Sequence, residues 1–82
     1  MPLYAVDIGS WEKGRTERIY ALTPLQAYQD ANQLIKAYIA SGHLPSDSEV
    51  VEIFELRNNK RTKCCYDYMN GFELYEKRRN NE

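Results

Sequence analysis

The sequence predicts an α+β domain: an antiparallel sheet of four or five strands, in the order β-β-α-β-β, with one helix packed across one face. Three observations lead there. The stretch Thr23 to Gly42 carries helix start and stop signals around an amphipathic pattern. Short runs rich in β-branched and aromatic residues lie on both sides of it, and turn formers separate those runs at hairpin spacing.

In the first strand, Leu3 to Ile8, Tyr4, Val6 and Ile8 fall on one side and Leu3, Ala5 and Asp7 on the other. Gly9 to Gly14 breaks the alternation and reads as a loop. In the second strand, Thr16 to Leu22, Ile19 and Ala21 oppose Arg18, Tyr20 and Leu22; the two runs form a hairpin.

Next comes the helix. Thr23 suits the N-cap, Pro24 the first helical position, and Gln26 stands three residues on, as in a capping box. Leu25, Tyr28, Ala31, Leu34, Ile35 and Tyr38 recur every three or four residues and form the stripe expected to be buried. Gly42 can close the helix in a left-handed conformation.

After a turn at His43 to Ser48, the run Val50 to Leu56 is strand-like, yet its apolar residues do not keep one parity. Either both faces are covered or a bulge shifts the register. Asn58-Asn59-Lys60 is a turn candidate, and Thr62 to Met69 a fourth strand. Asn70-Gly71 favours a two-residue hairpin turn into a short fifth strand, Phe72 to Tyr75, in competition with a terminal helical turn. Two-residue pairing would set Met69 opposite Phe72 and Tyr66 opposite Tyr75.

At 82 residues, with 43% hydrophobic and 28% charged, the chain is one ordinary globular domain, expected over residues 1–76 with a polar tail at 77–82 that frays. A net charge of −1 gives no long-range pull on polyanions. No stretch is a membrane span or a secretory leader, and Cys64 and Cys65 are adjacent, which does not suit a disulfide framework. A cytoplasmic protein with reduced thiols is expected.

No catalytic, cofactor or metal motif stands out. A lone His43 beside the helix C-terminus is explained by the helix dipole, and two neighbouring strand cysteines point to opposite faces, so they do not chelate one ion. The expectation is a non-enzyme with no cofactor and no metal.

Two surfaces remain. The first is aromatic: seven tyrosines in 82 residues are the most distinctive feature of the composition. The predicted pairing sets Tyr66, Tyr68 and Tyr75, joined by Tyr20, on the face away from the helix, an aromatic yet hydroxylated surface. Trp11, in a loop, either folds over the core edge or stands out as an anchor. These five residues would bind another protein or a second copy of the chain, as a small inhibitor of a host complex from a phage or mobile element would. The second surface is basic: Arg57, Lys60, Arg61 and Lys63 at a hairpin tip and Lys77, Arg78 and Arg79 near the end would contact phosphates of nucleic acid. Protein binding leads, because neither basic cluster has the interleaved aromatics of a stacking platform.

Overall fold

The computed structural model describes residues 1–73, 75 and 76. Strands β1 (Leu3–Gly9) and β2 (Gly14–Tyr20) precede helix α1 (Pro24–Ala40), and β3 (Glu49–Arg57) and β4 (Lys60–Asp67) follow it. The sheet is antiparallel throughout, in the order β2-β1-β3-β4. Because β2 and β3 both run antiparallel to β1, they are parallel to each other, and α1 is the crossover that carries the chain past β1.

The helix is capped as its sequence dictates. Thr23 Oγ1 accepts the Gln26 N–H at 3.1 Å. The Gln26 side chain does not complete the box; it donates forward to Asp30 Oδ1 at 2.9 Å. At the other end Gly42 has φ 79°, its N–H donates to Ile39 O and the His43 N–H to Tyr38 O, which is a Schellman closure. Ser41 Oγ lies 2.7 Å from His43 Nδ1.

The line of closest approach to the sheet is Pro24, Ala27, Ala31 and Ile35, all buried. Tyr28, Leu34, Tyr38 and Ile39 flank it, half-buried. Leu25, expected in the stripe, is exposed, and Ala27 takes its place. With the buried line running through 24, 27, 31 and 35, Leu25 stands about 100° round the helix from Pro24, off the covered stripe. Below lie Tyr4, Val6 and Ile8 of β1, Ile19 of β2, Val50 and Ile53 of β3, and Cys65 of β4.

Bulges decide which side chains reach this core. The odd parity of β3 has its cause in a register shift beside Val51, between the pairs Asp7–Glu52 and Ile8–Val50. In β4, pairing jumps from Tyr66 to Cys64 and from Lys63 to Arg61, so Cys65 and Thr62 are extra residues. The β3–β4 turn is Asn58-Asn59, both with positive φ (53° and 64°), the type I′ geometry that asparagine tolerates.

The expected fifth strand does not form. Asp67 and Gly71 exchange two backbone hydrogen bonds, at 3.2 and 2.7 Å, leaving a three-residue loop of Tyr68, Met69 and Asn70. Asp67 Oδ1 accepts the N–H groups of Met69 and Asn70 at 2.9 and 2.7 Å, and this local capture outcompetes the two-residue turn at Asn70-Gly71. The chain then turns helically, with the Glu76 N–H on Phe72 O at 3.0 Å. The tail at 77–82 lies outside the described residues.

Candidate functional site on the open face of the sheet

Among the described residues, α1 covers one side of the sheet. Alternation fixes what the other side carries. Cross-strand pairs line up in rows: Tyr20, Leu3, Leu56 and Arg61; then Arg18, Ala5, Phe54 and Cys64; then Thr16, Asp7, Glu52 and Asp67; and finally Gly14, Gly9 and Glu49. The first two rows are largely apolar and the last two polar and acidic. Leu3, Phe54 and Leu56 are half-buried on this face, and Ala5 is buried.

One cluster ties the rows together. Arg61 reaches across from β4 to β1 and grips Asp7 with two hydrogen bonds, both 2.7 Å. Its guanidinium lies over the Phe54 ring, 4.7 Å from the centroid, and Thr16 Oγ1 donates to Asp7 Oδ1 at 2.7 Å. Hydrogen bonds from Arg61 hold the Asp7 carboxyl below its ordinary 3.8, against the opposing effect of partial burial, and Thr16 adds to the lowering. From the neighbouring row Arg18 donates to Asn59 Oδ1 at 3.2 Å, so the β3–β4 turn curls over this face.

The five aromatic residues expected to share a binding face separate into two groups. Tyr20 stands on the open face, 66% exposed. Trp11 and Tyr68, 83% and 64% exposed, line a cleft of about 230 Å³ at the Gly9 end of the same face. Tyr66 and Tyr75 are on the helix side instead. Tyr66 packs at a tilt against Tyr28 and Phe72, with centroids at 4.9 Å in both cases. Burial, reinforced by a hydrogen bond with Tyr28, pushes its phenol up to about 12. The physical cause for Tyr66 is the bulge at Cys65, which puts Cys65 and Tyr66 on one side; Tyr75 follows from the helical turn after Gly71, where a returning strand was expected.

The basic tip is partly neutralised. Arg61 is held by Asp7, and Arg57 Nε lies 3.4 Å from Glu55 Oε1. Lys60 is exposed at the start of β4, and Lys63 sits half-buried opposite Glu55. Lys77, Arg78 and Arg79 lie outside the described residues. Among the described residues no group of three or more His, Cys, Asp or Glu could hold a metal ion, and no helix is long and apolar enough to cross a membrane.

Sequence reasoning missed Asp7, Phe54 and Leu56 as components of the face. A signal for the last two was there: the mixed parity of Val50 to Leu56 meant that apolar side chains emerge on both sides of that strand. Nothing local marks Asp7, whose partner Arg61 is 54 residues away.

No known family model, curated protein or solved structure matches this chain.

Proposed function

We propose that this chain is a small, non-enzymatic, cytoplasmic protein-binding module that docks another protein on the open face of its sheet. One observation carries the reading: the side of the sheet opposite α1 presents half-buried Leu3, Phe54 and Leu56 beside exposed Tyr20, framed by charged groups that are already fixed in position. An apolar centre with a polar rim is the usual anatomy of an interface, and Tyr and Arg are the residue types enriched at its energetic centre. Arg61 is preorganised by Asp7 and Phe54, so little side-chain freedom is lost when a partner covers it.

Charge favours a different protein over a second copy. Asp47, Glu49 and Glu52 sit towards the Gly9 end of the face, and two acidic ends repel, whereas a partner with basic side chains is attracted. The nucleic-acid reading loses support, because Arg57 and Arg61 of the basic tip already have carboxylate partners.

The test is capture of a partner from the source cell, its identification, and affinity measurement with variants. Leu3→Ser with Tyr20→Ser should weaken binding by ~2 kcal/mol or more, about thirtyfold, as loss of anchor residues does. Tyr20→Ser alone, at an exposed position, checks the result where the double variant melts early. Replacing Arg57, Lys60 and Lys63 with glutamine should do less. Binding that ignores the first change and collapses with the second, with a steep salt dependence, would restore the nucleic-acid reading.

A further inference from the structure

The cleft at the Gly9 end of the open face is built differently from the rest of it. Its floor is Gly9 and Val51; a Cβ on Gly9 would lie 2.8 Å from Val51 Cγ2, so the bare backbone there is filled by the valine. Its walls are Trp11, from the β1–β2 loop, and Tyr68, from the loop after β4. Asp47 and Glu49, from the segment that enters β3, supply two carboxylates, and among the described residues no basic side chain lines the space. Asp47 Oδ2 accepts the Trp11 backbone N–H at 3.1 Å, which fixes the tryptophan loop against the entry to β3.

We propose that the cleft between Trp11 and Tyr68 is a socket for one cationic side chain, arginine or lysine, of the protein docked on the open face. The proposal rests on the reading of that face as a protein-binding surface. Its chemistry follows from the lining. The faces of indole and phenol rings attract a cation through their quadrupoles, tryptophan most strongly, and a guanidinium also stacks flat on them. Two carboxylates provide the countercharge, and a guanidinium can bond a carboxylate through two parallel N–H groups.

The size selects among occupants. About 230 Å³ lies below the ~300–1,000 Å³ of small-molecule sites, and suits the end of one long side chain. Two carboxylates fall short of the six or more oxygens that calcium takes. Among the described residues, an anion would meet two negative groups with no compensating positive one. Trp11 and Tyr68 are large aromatic rings left in water on loops that hydrogen bonds hold in place, and a bound cation with its aliphatic stem would cover both.

Trp11 is the single tryptophan of the chain, so its fluorescence reports on the cleft directly. The experiment titrates the purified protein with N-acetyl-arginine amide and N-acetyl-lysine amide, and with N-acetyl-citrulline amide, which has nearly the shape of the arginine probe without its charge. A saturable change with at least one cationic probe is expected, with citrulline at least about tenfold weaker. The stronger cationic probe names the side chain. Glu49→Gln, Asp47→Asn and Tyr68→Ala should each weaken binding about threefold to tenfold without moving the melting temperature; Asp47→Asn keeps an acceptor for the Trp11 N–H. Equal binding of citrulline, indifference to the carboxylate variants, or no saturation with either cationic probe overturns the socket. The titration needs no partner protein. Its failure overturns the socket whatever capture shows, and a charge-dependent, saturable titration supports the socket even where the Leu3 and Tyr20 variants leave capture untouched.

Discussion

Tyr66 and Tyr68 are two positions apart, and an unbroken strand would put them on one face. They end in opposite environments: Tyr66 wedged between Tyr28 and Phe72 under the helix, Tyr68 in water at the rim of the Trp11 cleft. Tyr66→Ala should therefore cost ~2 kcal/mol or more, through lost ring contacts and a cavity, whereas Tyr68→Ala should stay within ~0.5 kcal/mol in a denaturant titration. A near-neutral Tyr66→Ala would put the bulge at Cys65 in the wrong place. Asp7 gives a second test at this scale. Its folded pKa is depressed, so its stabilisation is complete above the ordinary carboxylate value of 3.8 and is lost as pH falls through the lower folded value. Asp7→Asn should be less stable than wild type at neutral pH, and the gap should narrow below about pH 4. Asp67, which the Asn70 N–H also holds below 3.8, remains in the variant, so the acid limb becomes shallower without vanishing. A gap that is constant from pH 7 to pH 3 would mean that the Arg61 fork contributes nothing.

Among the elements, β1 is the one that both faces depend on. Tyr4, Val6 and Ile8 pack under α1, while Leu3, Ala5 and Asp7 run along the middle of the open face. It pairs with β2 in continuous register, yet meets a shift against β3 beside Val51. The extra residue is accommodated where β1 ends in Gly9, with Val51 Cγ2 over the glycine. Valine is stiff about χ1 and cannot swing clear of an added methyl. Gly9→Ala should thus cost ~1–3 kcal/mol by overpacking, and Val51→Ala in the same chain should recover much of that loss. A double-mutant cycle on thermal or chemical unfolding measures the coupling; additive effects would separate the two side chains.

For the whole molecule, stability comes from one continuous apolar cluster spanning all four strands and the helix, with no covalent staple. Neither cysteine is in a disulfide, and Cys65 lies in the core, where burial pushes its thiol up to about 11. Chelator and reductant should both leave the melting temperature unchanged, and a native-state alkylating reagent near neutral pH should spare Cys65. A fall of several degrees with either reagent would require a metal or a disulfide that this arrangement does not provide. Because the domain is small, its unfolding should be a single cooperative transition, and the open-face changes can be separated from folding by that same melt.

The sequence by itself determined the helix and its ends, the first hairpin and its two faces, and the α+β class. Those features rest on short-range physics: a threonine oxygen reaching an amide three residues on, a glycine at positive φ, an alternation of period two that survives wherever a strand is unbroken. Tyr20 was legible as an open-face residue for that reason. Tertiary structure alone decided the strand order and the bulges at Val51, Thr62 and Cys65. A bulge is set by the pairing partner and by what the core will admit, and one extra residue inverts the face assignment of the strand beyond it, which is how Tyr66 moved under the helix. The grip of Arg61 on Asp7 was equally hidden, because it crosses two strand boundaries, and no local pattern records a contact made only when β1, β3 and β4 lie side by side.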